Sequence, residues 1–122
     1  KGKEMANPNI VNVANIFGKT VVQSLTGSYA SVLANAASSG KVLKVNTIIA
    51  SNITGAPKNC YAKVVRSSTD YMVGNQLAIP TQASLVLISK DTSIYLEEGD
   101  DLQMKADATS EIQVTLSYEE IS

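Results

Sequence analysis

Near the end of the chain Ile112, Val114, Leu116 and Tyr118 alternate with Glu111, Gln113, Thr115 and Ser117, so an extended segment there turns one apolar face inward and one polar face to water. One strand earlier, Leu102, Met104 and Ala106 alternate in the same way with Asp101, Gln103, Lys105 and Asp107. Ala108-Thr109-Ser110 between them is a polar connection of hairpin length, which predicts that these strands pair with each other. Further upstream, Ser93-Ile94-Tyr95-Leu96 runs through Glu97-Glu98-Gly99-Asp100 into Asp101-Leu102-Gln103-Met104. Glycine tolerates positive φ and the flanking carboxylates keep a tip wet, so this stretch predicts a second hairpin with a solvated turn.

Leu43, Val45, Thr47 and Ile49 line one face of a longer strand that starts after Ser39-Gly40 and is closed by the turn residues of Asn52 to Pro57. Tyr61 to Arg66 supplies another β-rich run, ended by Ser67-Ser68-Thr69-Asp70, and Gly18 to Val22 and Ser31 to Leu33 are shorter strands around Thr26-Gly27-Ser28. The alanines of Ser28 to Ser39 favour a helical turn, but Ser, Asn and the β-branched Val32 interrupt it without an apolar stripe. About eight or nine short strands with frequent turn signals describe an all-β protein, an antiparallel β-sandwich of jelly-roll-like type. We assign it to residues 17–122, preceded by an extended N-terminal arm of residues 1–16. Met5-Ala6-Asn7-Pro8 reads as a natural start, and Lys1 to Glu4 as a tag remnant or an upstream extension.

Two segments depart from the half-wet pattern. Leu85, Val86, Leu87 and Ile88 offer apolar side chains to both faces, which suits a central strand covered on its second side by a loop or by another subunit. Asn9, Ile10, Val11, Asn12 and Val13, continuing to Ile16 after Pro8, are β-prone without an obvious partner. Such a leading strand lies along a neighbour's sheet edge or forms an edge of its own sheet. These nine residues, 9–13 and 85–88, are the candidate interface.

Composition narrows the picture. With 122 residues, 44% of them hydrophobic and 17% charged, the chain supports one core, and 5% aromatic residues without tryptophan leave that core to Val, Ile, Leu and Ala. A thin aliphatic core favours burial of further surface by association, so a homo-oligomer is expected. Ten basic and eleven acidic residues give a net charge of −1 without a basic cluster, which argues against a nucleic-acid partner. The apolar run 85–88 is far short of the roughly 20 residues of a membrane span, and no signal segment opens the chain, so a soluble protein is expected. Cys60 is alone, which excludes an intrachain disulfide and suits a small buried hydrophobe.

Candidate chemistry is sparse. The absence of histidine removes the usual general base, the usual zinc ligand and any Ser-His or Cys-His pair. Gly18-Lys19-Thr20 matches the end of a phosphate-binding loop, but Val13 stands where the earlier glycine belongs. Ser38-Ser39-Gly40-Lys41 has Ser-x-x-Lys spacing without its companion motifs. Glu97, Glu98, Asp100 and Asp101 offer oxygen ligands to calcium, with a solvated turn as the simpler reading. Asn52-Ile53-Thr54 fits a glycosylation sequon and is most simply a turn. No catalytic residue, cofactor or metal site is assigned, and the protein is read as not an enzyme.

Met5-Ala6-Asn7-Pro8-Asn9-Ile10-Val11-Asn12-Val13, Gly18-Lys19-Thr20, Ala36 to Val42, Ile88 to Asp100 and Ser117-Tyr118-Glu119-Glu120-Ile121 together resemble small β-sandwich structural proteins of marine tailed bacteriophages, especially those infecting cyanobacteria. The resemblance implies a virion component made in the host bacterial cytoplasm. A head decoration or cement protein fits best, with the major capsid protein or other virion proteins as partners and a trimer as the expected oligomer. A tail, neck or fibre-attachment subunit is the alternative. A receptor- or carbohydrate-binding module, with Tyr29, Tyr61 or Tyr71 stacking on a sugar, is a third.

Overall fold

The computed structural model describes residues 15–122. Among these residues nine β-strands form two facing antiparallel sheets: β1 (Ile16–Ser24), β2 (Ala30–Ala34), β3 (Val42–Asn52), β4 (Lys58–Arg66), β5 (Thr69–Ile79), β6 (Ser84–Ile88), β7 (Ile94–Leu96), β8 (Asp101–Ala106) and β9 (Ile112–Ile121). Sheet A runs β1-β9-β3-β6, with β7 also on β3, and sheet B runs β2-β8-β4-β5. This is the strand order of a jelly roll, in which the chain wraps back and forth between two sheets. The alternating residues point into the space between them. Leu43, Val45, Ile48 and Ala50 of β3, Leu102 and Met104 of β8, and Ile112, Val114 and Leu116 of β9 are buried there. The core is aliphatic, as composition requires, and Phe17 lies half exposed on β1.

The two expected hairpins have the expected turns but not the expected pairing. β7 belongs to sheet A, β8 to sheet B and β9 to sheet A, so the Gly99 turn and the 107–111 turn each carry the chain across the sandwich. An alternating segment buries the same face whether it pairs with its sequence neighbour or crosses to the opposite sheet, so alternation alone does not separate the two. Among the described strands only β4 and β5 are sequence neighbours that pair with each other. Their loop is Ser67-Ser68, both at positive φ (53° and 64°), the pattern of a type I′ turn.

Two bulges correct the face assignments. A register shift between Val45 and Thr47 turns Ile48 and Ala50 inward, so Ile49 leaves the face it was expected to share with Leu43 and Val45. β6 is an edge strand, not a central one. A shift in its pairing with β3 lets Leu87 and Ile88 both reach the core while Val86 stays exposed. The 28–39 region forms β2 rather than a helical turn, and the described helical content is one 3₁₀ turn, Lys90–Thr92.

Crossings remove backbone groups from the ladders, and buried side chains replace those partners. Asn52, at the end of β3, donates from Nδ2 to the carbonyls of Ala56 (2.8 Å), Ile79 (3.0 Å) and Pro80 (3.2 Å). Its Oδ1 accepts from the Thr54 N–H (2.9 Å) and hydroxyl (2.7 Å). The sequon is therefore an exposed turn whose Asn52 amide is buried and fully engaged. Asn35 plays the same part between the β2–β3 and β7–β8 crossings. Its Nδ2 donates to Lys41 O and Leu96 O (2.9 Å each), its N–H to Asp100 O (2.9 Å), and its carbonyl accepts from the Gly99 N–H (2.7 Å).

Leu116→Ala is expected to cost about 2–5 kcal/mol in denaturant unfolding, the range for a leucine truncated inside a core. Asn52→Ala, which removes all five of these side-chain bonds, is expected to cost about 2–3 kcal/mol through unsatisfied buried carbonyls. A change of a few tenths of a kcal/mol in either would place that residue outside the cooperative core.

Candidate functional site

The acidic turn before β8 is organised around one buried carboxylate. Asp100 is 1% exposed, and Arg66 at the end of β4 meets it with Nε on Oδ1 (2.8 Å) and Nη2 on Oδ2 (2.5 Å). The Glu97 N–H adds a third bond at 2.7 Å. Burial pushes the Asp100 carboxyl up, but the Arg66 hydrogen bonds, the Glu97 N–H and the Arg66 charge outweigh it and hold the group below the ordinary carboxylate value. Gly99 sits at φ 88°, the left-handed conformation that brings the next residue inward. The turn is thus pinned between the sheets through Asp100, while Glu97 and Gly99 stay exposed at its tip. The other carboxylates diverge: Glu98 accepts from the Gly40 N–H (2.6 Å), Asp101 from the Ser31 hydroxyl (2.6 Å), and Glu97 approaches Arg66 at 3.9 Å. Among the described residues no acidic or thiol cluster with metal-ligand geometry occurs.

The remaining sequence candidates are each tied to a structural partner. Lys19 of Gly18-Lys19-Thr20 lies in mid-β1 and pairs with Glu120 at 2.7 Å. Lys41 of the Ser-x-x-Lys match reaches the same carboxylate. Hydrogen bonds from these lysines hold Glu120 below its ordinary value, and Glu120 in turn raises Lys19. Cys60 is buried, and burial pushes its thiol up to about 11, which makes it inert at neutral pH. On the outer face of sheet B, Lys63 sits over the Tyr29 ring at 4.1 Å and Lys105 over the Tyr61 ring at 4.4 Å, while Tyr61 donates to Asp107 at 2.9 Å. Two of the three tyrosines considered for sugar stacking therefore already carry a lysine on the ring face.

What stays unused is apolar surface at the strand edges. Ile16, Phe17 and Val22 on β1, Tyr71, Met72 and Val73 on β5, Val86 on β6 and Tyr95 on β7 are exposed. Of the candidate interface, Leu85 and Leu87 pack partly against the core, Ile88 is buried and Val86 faces outward. Asn9 to Val13 lie outside the described residues. The structure adds a surface that sequence reading missed: a cleft of about 460 Å³ between β5 and β7, lined by Val64, Tyr71, Met72, Val73, Ile94 and Tyr95, with Arg66 at its rim. The Tyr71-Met72-Val73 run was its one local signal, and the strands that form the cleft come together only in the fold.

No protein-family model and no curated protein matches the chain. Solved structures do. One is a chain of Bacillus endospore appendages, a family of disulfide-linked pili, at 12% identity and TM-score 0.51, with 97% of this chain and 89% of that chain covered. Another comes from an archaeal virus with a triple jelly-roll fold and turret assembly, at 22% identity and TM-score 0.51. A third is from Sulfolobus Turreted Icosahedral Virus, at 21% identity and TM-score 0.50. The match spans 90% and 88% of this chain but only 30% of each viral chain. The chain thus has the jelly-roll-like all-β fold also found in these pilus and viral proteins.

Because Asp100 has a depressed folded value, its contribution is present above the unfolded carboxylate value near about 3.9 and is lost as pH falls through the lower folded value. Asp100→Asn is therefore expected to lose about 1–3 kcal/mol at pH 7, with the gap to the native chain closing below about pH 4. Denaturant titrations at several pH values check this, and a gap independent of pH would assign the loss to packing. Millimolar calcium is expected to leave the melting temperature unchanged, since the four carboxylates do not converge.

Proposed function

We propose that the protein is a structural, non-catalytic subunit of a virion, acting through subunit contacts as a capsid decoration or cement protein. The observation that carries this reading is the distribution of the described surface: acidic groups such as Glu120, Glu111 and Asp100 are matched by lysines and Arg66 within the chain, while the large exposed apolar residues, Ile53 apart, gather on the edge strands and on β7. A jelly roll with unsatisfied edges and, among the described residues, no convergent chemical site is suited to repeated side-by-side contact. Fold likeness to viral chains supports the virion setting, as does the resemblance to marine tailed-phage structural proteins. The partners are then the major capsid protein and other copies of the same chain, with a trimer as the first expectation.

One observation favours a second reading, a tail or fibre subunit. The likeness to the pilus chain covers both proteins almost end to end, whereas the viral chains are matched over less than a third of their length. Copy number in purified particles separates the two. Hundreds of copies per particle are expected for decoration, tens or fewer for a tail or fibre role, and absence from the particle would overturn both. In solution the chain is expected to sediment as an oligomer; a monomer at all concentrations would remove the subunit-contact basis of the proposal.

A further inference from the structure

Sheet B ends on β5, whose outer side faces no other described strand. Past Asp70 this strand carries no charge and no proline, the residues that ordinarily keep an exposed edge from pairing. From Thr69 to Met72 its pairing with β4 is regular, so the outer backbone groups stand in register for another strand. The apolar cleft between β5 and β7 opens beside this edge, with half-buried Val64 and Ile94 and the more exposed Tyr71, Met72, Val73 and Tyr95 around it. Arg66 at the rim is matched by Asp100. An occupant of this site is therefore extended, apolar and uncharged.

The chain contains such a segment. From Met5 to Gly18 no side chain is charged, and between Pro8 and Gly18 there is neither glycine nor proline. In extended form Val11 and Val13 share one face and Ile10 and Ala14 the other. An uncharged β-prone run of this kind aggregates unless it is paired. We propose that residues 9–14 of one copy add as a strand to the β5 edge of a second copy, with alternate side chains in the β5–β7 cleft. The proposal rests on reading the protein as an assembly subunit and names the contact by which it assembles.

The acceptor is a second copy because of where the segment leaves the body. Asn15 and Ser122 exchange backbone hydrogen bonds of 3.0 Å each, which prolongs the β1–β9 ladder. The six residues from Asn9 to Ala14 have an extended reach of about 20 Å at roughly 3.3 Å per residue. β1 lies at one side of sheet A, with β9 and β3 between it and β7, so reaching the chain's own cleft requires a sharp turn across both strands, and the run from Asn9 to Phe17 has neither glycine nor proline to make it. Donor and acceptor are different patches, and such a heterologous contact repeats from copy to copy into a ring or a filament.

Single-cysteine exchange tests this on the full chain, since native Cys60 is buried and inert. Val13→Cys and Met72→Cys chains are mixed under oxidising conditions and resolved on a non-reducing gel, with Gln103→Cys on β8 replacing Met72→Cys as the control. At least tenfold more mixed disulfide dimer from the 13–72 pair than from the control is expected, with the pairing read by mass spectrometry. Met72→Glu is expected to weaken oligomerisation at least tenfold by light scattering without lowering the melting temperature. Oligomers that persist without a 13–72 crosslink would overturn this docking while leaving the assembly reading intact. A crosslink formed only within a doubly substituted chain would show that the segment fills its own cleft and would equally overturn it. A native chain that stays monomeric and uncrosslinked would overturn both.

Discussion

Carrying a polar backbone repeatedly across an apolar gap is the constraint on which this sandwich depends. Most consecutive strands lie on opposite sheets or on separate parts of one, so the turns cannot rely on hairpin ladders for their hydrogen bonds. Asn35, Asn52 and Asp100 are the buried polar residues among those described, and each sits at or beside such a turn. They substitute amide and carboxylate groups for missing ladder partners. Asp100 goes further, because Arg66 ties the β7–β8 crossing to the end of β4 through two charge-assisted bonds.

Between the crossings the fold is held by aliphatic burial. The core has no Phe or Trp among its buried side chains, and its largest members are leucines, isoleucines and one methionine. Branched aliphatics fill a narrow inter-sheet space well, but each removes less surface from water than an aromatic residue does. The same economy leaves apolar residues over at the margins. Phe17, Tyr71, Met72, Val86 and Tyr95 stand on edges or beside the cleft, where a neighbouring chain can cover them. Core composition and the proposed association are thus two consequences of one choice of residues.

Polar chemistry on the outer faces is directed inward on the protein itself. Glu120 joins lysines from β1 and the β2–β3 turn, Lys58 pairs with Glu111, and lysines lie over Tyr29 and Tyr61. The lysines of the ion pairs reach into solvent while the Glu120 and Glu111 carboxylates are largely covered, so these groups are already matched where they lie. Their arrangement leaves apolar edges as the surfaces whose needs the fold does not meet.

The sequence by itself determined that the chain is built of strands, which faces of β8 and β9 are buried, where the turns around Gly27, Gly55 and Gly99 fall, and that the core is aliphatic, but it did not announce β5, which begins inside the expected 67–70 break. Those properties follow from period-two alternation, local turn chemistry and composition, all of which are read within a few residues. Tertiary structure decided the rest. Whether the Gly99 turn closes a hairpin or spans two sheets depends on partners far away in the chain, and the inward face is the same in both cases. Ile49 left its expected face because of a bulge that no alternation pattern announces. Asp100 reads as one more acid in a wet turn until Arg66, thirty-four residues earlier, is brought against it. The cleft is less local still, since β5 and β7 belong to different sheets and its lining residues meet only when those sheets are stacked.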